Sequence, residues 1–238
     1  ALGSSASADL DSGTAIGNQA QSKAENAIAI GKQTLAIGKN STSIGATGDP
    51  ITTLSLTDNN TDLTAINGIS VTATGTPLST DGTYNPTAVS KITEIAGVAV
   101  DDAGVNQFIT ALKAGANFAS GDNSLSLGVG TIAAGNSSVA IGDRASAAVD
   151  AVSIGRNTVA TGSAVGIGPG ATAAGANSFA GGKNAQVTAA GSNAVAIGNN
   201  SQAGRGEALN PGTSQTLDPS GKSAVAIGNG AQAQMDYD

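Results

Sequence analysis

Apolar and small residues alternate along this chain in short bursts that recur on a nearly constant beat. A branched apolar residue precedes a glycine at Leu2-Gly3, Ile16-Gly17, Ile30-Gly31 and Ile44-Gly45, at a constant spacing of 14. After a gap the series resumes at Leu127-Gly128, Ile141-Gly142, Ile154-Gly155, Ile167-Gly168, Gly181-Gly182, Ile197-Gly198 and Ile227-Gly228, with spacings of 14, 13, 13, 14, 16 and 30. A fixed short period means that each copy is one rung of a stack and cannot bury its apolar face alone.

Within a rung the pattern is finer. In Ser138-Val139-Ala140-Ile141-Gly142 large β-branched residues alternate with small ones, which predicts a short strand with Val and Ile on one face. Four residues after Ile141 comes Ala145, then Ala147, and the same offset recurs from Ile154 to Thr158, Ile167 to Ala171, Ile197 to Ser201 and Ile227 to Ala231. A second strand of small residues is therefore expected, with Ser146, Val159, Thr172, Gln186 and Gln202 facing out. The glycine between the strands suits a sharp corner.

The expected architecture is an all-β solenoid, a parallel β-roll with 14-residue, two-strand rungs. Ile30, Val139, Ile141, Val152, Ile154, Val165, Ile167, Val195, Ile197, Val225 and Ile227 are expected to form its core. Stacked at ~4.8 Å per strand, the rungs would stand roughly 50 Å tall. Such a roll is thin, so it is expected to bury a flank against copies of itself.

The beat breaks between Gly45 and Gly128 but resumes in phase if about 69 residues are inserted, a multiple of the period being preserved. This divides the chain into a roll over 1–45, an insert over 46–114 and a continued roll over 115–238. The insert reads as a small α+β subdomain projecting from the roll. Strand alternation runs over Ile51–Thr57 and Ile69–Thr74. Asn85-Pro86 predicts a helix start, with Val89, Ile92 and Ile95 on one face. Asp101 or Asp102 caps a second helix, whose Val105, Phe108, Ile109 and Leu112 fall at i, i+3, i+4 and i+7, with Gly115 as its stop. Phe108 is read as core of this subdomain. A polar loop is expected near 205–221, where Arg205-Gly206-Glu207 resembles an integrin-recognition tripeptide with the wrong acid.

Composition narrows the chemistry. Histidine and cysteine are both absent, so imidazole acid–base chemistry, disulfides and thiolate metal sites are excluded, and no cofactor or metal is expected. The net charge of −7, of which −4 falls on 50–118, leaves no basic patch for nucleic acid. No phosphate-binding or dinucleotide glycine motif opens a helix. The Gly-Gly-x-Gly-x-Asp repeat of calcium-binding rolls is missing, and so is the hexapeptide period of left-handed acyltransferases. An enzyme is not expected. The chain has no signal peptide and begins and ends in mid-pattern, as a piece of something longer would.

The units Ser138–Gly142, Ala194–Gly198 and Ala224–Gly228, each followed by its small strand, resemble the head repeat of trimeric autotransporter adhesins, the YadA-like head. The resemblance covers nearly all of the chain outside 46–114 and 205–221, and Phe179-Ala180-Gly181-Gly182 departs from it by losing the Ile. It implies a left-handed roll, a homotrimer, and a place on the outer membrane of a Gram-negative bacterium, with membrane attachment only through anchor segments outside this sequence. It implies binding to matrix proteins of the collagen, fibronectin or laminin class, to host cells or to abiotic surfaces. In this family collagen binding goes with an Asn-Ser-Val-Ala-Ile-Gly type of repeat. Asn26–Gly31 and Asn193–Gly198 match it with Ala in place of Ser, and Ser137 stands where the Asn would precede Ser138. The candidate adhesive residues are accordingly Asn26, Ser138, Asn193 and Ala194, with Tyr84 from the insert. A second role is open, that of a spacer displaying the insert. Ice binding would need an outward ladder of Thr, which the outward positions do not provide.

Overall fold

The computed structural model describes residues 1–48, 52–66, 69–95, 98–99, 101–189, 191–205 and 223–234. Two parallel sheets lie back to back, and the chain alternates between them once per rung. One has eleven described strands, from Ser7–Ala8 to Gln232–Gln234; the other has ten, from Thr14–Ile16 to Val225–Ile227. Leu2 adds a parallel bridge to Ile16. Register is kept from rung to rung. Val139 pairs with Val152 and Val152 with Val165, while Ile141 pairs with Ile154 and Ile154 with Ile167. The pairing passes straight over the insert, since Ile44 pairs with Leu127 and Gly45 with Gly128.

The interior is the reverse of the sequence expectation. In the large strands the buried residues are the small ones between the Val and Ile: Ala29, Ser126, Ala140, Ser153, Ala180 and Ala196 are fully buried. They face Ala133, Ala147, Ala160, Ala173, Val187 and Ala203 of the other sheet, also all but sealed. The proposed core residues stand on the outer side. Ile30, Val139, Ile141, Val152, Ile154, Val165 and Val195 are only partly buried, and Ile167, Ile197, Val225 and Ile227 are exposed. The physical cause lies in the corners. Each sheet-to-sheet connection is so short that the sheets meet with room for little more than a methyl or hydroxymethyl, and the branched Val187 fits only beside Gly191, where a Cβ would stand 2.7 Å from its Cγ1.

The corners show how this is done. At Gly142 φ is +137°, and a Cβ there would stand 2.4 Å from the carbonyl oxygen of Gly155 in the next rung. A side chain is excluded twice over, by conformation and by contact. Gly121 has no such φ, but a Cβ would meet the Gly135 oxygen at 2.0 Å, so close rung stacking alone demands glycine. Beside these glycines each corner holds one residue in the left-handed region, such as Asn26 (φ 55°), Ser137 (φ 54°), Asn157 (φ 55°) and Asn193 (φ 59°). Asparagine accepts that conformation more readily than most residues.

The insert is an α+β unit. An antiparallel sheet runs in the order Val98–Ala99, Lys91–Ile95, Ile69–Thr74, Leu63–Ile66, Leu56–Asp58. It is joined by one helix, α1 (Asp102–Lys113). The helix matches the second one expected. Gly115 closes it with φ +71° and an N–H bond to Leu112 O at 3.0 Å. The helix expected after Pro86 is instead the strand Lys91–Ile95, paired to Ile69–Thr74. Ile92, Thr93 and Ile95 are β-branched, and a partner strand was available; both favour the sheet. The strand expected over Ile51–Thr57 is described at Leu56–Asp58, and Ile51 lies outside the described residues.

The insert does not simply project. It folds back on the eleven-stranded sheet. At three successive rungs the outward position there is large and apolar: Leu35, Phe118 and Ile132, in register with one another. They join Phe108, Ile109 and Leu112 of α1 in one cluster, and the rings of Phe108 and Phe118 meet edge to face at 5.4 Å. Phe108 is core, only 3% exposed.

Candidate functional site

Adhesive function requires accessible surface, and three candidate residues lack it. Ser138 and Ala194 are fully buried at a corner of the roll, in a column of small residues that also holds Ala27, Ser41, Ser124, Ala151, Ala164 and Ser178. Alternation explains this: they precede the large strand by one residue and so share the inward phase of Ala140 and Ala196. Tyr84 is 9% exposed inside the insert. Its hydroxyl donates to Asp102 Oδ1 at 2.9 Å and accepts from Ile92 N–H at 3.3 Å. Burial pushes the Tyr84 phenol above its ordinary value, and the neighbouring Asp102 carboxylate acts in the same direction.

Asn26 and Asn193 are exposed. Asn26 belongs to an amide ladder in which its Nδ2 donates to Asn40 Oδ1 at 3.1 Å and Asn40 Nδ2 donates to Asn123 Oδ1 at 3.0 Å. A second ladder joins Asn184 to Asn200 at 3.2 Å. Asparagine at these corners thus serves the backbone and the stack before it serves any ligand. Ion pairs of Lys23 with Asp9 (2.7 Å) and Lys39 with Glu25 (2.8 Å) tie successive rungs together on the same surface.

Two surfaces remain as candidates. The first is the outer face of the ten-stranded sheet. Its two columns, mostly Val, Ile and Leu, run the height of the roll, half-buried at most rungs and about 40% exposed at Ile16, Leu127, Ile167 and Ile197. A continuous apolar ladder of this length marks an interaction face. The second is the junction of insert and roll. Helix α1 overhangs the first rungs there and leaves a cleft of about 410 Å³ lined by Ser5, Gln19, Gln21, Gln33, Thr34, Leu35, Asn106 and Thr110. None of these stood out in the sequence. Gln19 and Gln33 occupy one corner column in successive rungs, but nothing in the pattern places α1 above them. The Arg-Gly-Glu tripeptide lies, from Gly206 on, outside the described residues. Among the described residues no helix is long and apolar enough to cross a membrane.

The family described as YadA head domain repeat matches residues 1–20, 11–34, 22–47, 119–145, 163–185, 188–204 and 220–236, together more than half of the chain. The matches stop at 47 and restart at 119, so they flank the insert without entering it. No curated protein matches the chain.

Proposed function

This chain belongs to the YadA head family, as the head of a trimeric autotransporter adhesin, and on that premise we propose that it works as a homotrimer that attaches a Gram-negative cell to host matrix, host cells or abiotic surfaces. The observation that carries this reading is the apolar ladder on the ten-stranded sheet. Val, Ile or Leu recurs there at nearly every rung, yet the single roll leaves these side chains on its outer side, half-buried or exposed. Each fully covered Val or Ile contributes about 1.5–3 kcal/mol, and a copy of the same ladder is in phase with it over the whole height. Three copies joined through this face turn the eleven-stranded sheet, the corner ladders and the insert outward. Such a surface binds by many weak contacts multiplied by copy number.

Light scattering on the chain at micromolar concentration is expected to give three times the monomer mass. The same trimer, spread over matrix proteins, cultured cells and plain polystyrene, is expected to be retained on at least one of them. A stable monomer, or a trimer retained on none, would overturn the proposal.

A second reading, that the roll is a spacer displaying the insert, is favoured by one observation. Leu35, Phe118 and Ile132 adapt three rungs to hold α1, and a roll has no need of them otherwise. Adhesion with and without the insert separates the two readings.

A further inference from the structure

We propose that the cleft between helix α1 and the first three rungs is a subsite for a neutral carbohydrate. The inference rests on the adhesive reading and gives it a ligand class at one place.

The lining decides the class. Gln19, Gln21, Gln33 and Asn106 carry amides, and Ser5 and Thr110 carry hydroxyls, while the buried Thr34 hydroxyl donates to Gly31 O at 3.3 Å. Every one of these groups both donates and accepts. The matching ligand is one whose own groups do both, and a sugar hydroxyl is such a group. No lining residue is charged, and the chain carries −7 overall. Sulfated or sialylated ends and phosphates therefore find no cation to neutralise them and a repulsive field around them.

Asn106 is already oriented, because its Nδ2 donates to Asp102 O at 2.9 Å, leaving its amide oxygen free to accept from a ligand. The volume, about 410 Å³, lies within the roughly 300–1,000 Å³ usual for small-ligand pockets.

A peptide fits less well. Binding by strand addition needs an open edge, and the strands in the cleft have none. Gln21–Ser22 is paired on both sides, to Ser7–Ala8 and Leu35–Ala36, and Leu35–Ala36 pairs onward to Phe118–Ala119. The cleft offers no charged or deep apolar pocket to read side chains.

Saturation-transfer NMR on the whole chain, with lactose, N-acetyllactosamine, cellobiose and chitobiose as probes and sialyllactose as the charged control, tests the proposal. At least one neutral probe is expected to receive magnetisation, and sialyllactose less. Thr110→Lys, which fills the mouth of the cleft from an exposed helix position, and Gln19→Ala are each expected to weaken that binding about tenfold or more. Circular dichroism and thermal unfolding should stay unchanged in both. The proposal falls if the native chain binds none of the neutral probes, or if both variants bind them as the native chain does. It also falls if the variants lose binding to an enzymatically deglycosylated matrix protein instead, which would make the cleft a peptide site. Retention on polystyrene, measured in parallel, reports on the adhesive reading alone and keeps the two failures apart.

Discussion

The ring of Phe179 lies across Gly181: a methyl group on that glycine would stand 2.5 Å from Cε1 of the ring. Gly181 occupies the column of Ile167 and Ile197, with which it is paired in register. The one described rung with no branched apolar residue in this column therefore fills the vacancy from the neighbouring column, where Phe179 replaces Val. The apolar ladder stays continuous.

This pairing predicts non-additive substitutions. Gly181→Ile alone is expected to clash with the ring and to weaken association of the rolls by about 1–3 kcal/mol. Phe179→Val alone opens a gap in the ladder at similar cost. The double variant restores the pattern of the other rungs and is expected to recover most of the loss. Thermal unfolding of all four forms closes the cycle. Additive losses would show that the two residues do not share the space.

Inside and outside are separable by mutation. Ala160 is 1% exposed between the sheets, whereas Ile154 stands on the outer ladder. Ala160→Leu is expected to separate the sheets and cost more than the about 1–3 kcal/mol usual for overpacking, with loss of the β signal in circular dichroism. Ile154→Asp is expected to keep that signal while lowering the mass in light scattering, since it puts charge into a face that must be dry only when rolls join. Unfolding by Ile154→Asp with Ala160→Leu tolerated would return Val and Ile to the interior.

The rung period, its two strands and the helix were legible, because each has a repeat or a face that many residues vote on. Which face goes inward was not. Alternation in Val139-Ala140-Ile141 separates two faces and is silent on which one is covered. The usual rule that large apolar residues go inside fails when glycine corners hold two sheets a methyl apart. The strand Lys91–Ile95 was misread because Val89, Ile92 and Ile95 also fit a helical face. Tyr84 was misplaced because a lone aromatic in a polar stretch carries no sign of its partner, Asp102. The cleft was invisible for a different reason. Its two walls are far apart in sequence, as Gln33 and Asn106 are, and only the docking of α1 on Leu35, Phe118 and Ile132 brings them together.

Tyr84 gives a pH prediction. Burial, with Asp102 beside it, raises its phenol above the ordinary value, which is near 10 in an unfolded chain. A group raised in the folded state contributes stability that is fully present below the unfolded value and is lost as pH rises through the folded one. Insert stability is therefore expected to be flat below about pH 10 and to fall above it. Tyr84→Phe is expected to be less stable at neutral pH by about 1–3 kcal/mol, having left Asp102 and Ile92 N–H without their partner. It should lack the phenol's share of the alkaline fall. Hydrogen exchange of α1 across pH, or unfolding followed by near-ultraviolet absorbance, measures both. An identical alkaline fall in the variant would assign it to other groups.

The neck of the insert gives the last prediction. Gly48 N–H donates to Gly115 O at 2.6 Å, so the chain leaves and re-enters the roll at one corner. Excising 46–114 joins Gly45 to Gly115 and keeps the rung in phase, because Phe118 then follows Gly45 at the distance that Leu35 follows Gly31. Two consequences need repair. Ala116 inherits the corner position of Gln33, whose φ is 56°, at a cost of roughly 1–2 kcal/mol for a left-handed alanine. Leu35, Phe118 and Ile132 lose the cover of α1 and would form a sticky patch. The excised chain carrying Ala116→Gly, Leu35→Gln, Phe118→Thr and Ile132→Gln is therefore expected to fold as a continuous roll and to associate as the native chain does. The unrepaired excision should aggregate. If the repaired roll still trimerises and holds every surface that the native head holds, the corner ladders and the repeated rungs carry adhesion. If it trimerises but holds none, binding belongs to the insert and its junction, and the roll serves as its mount.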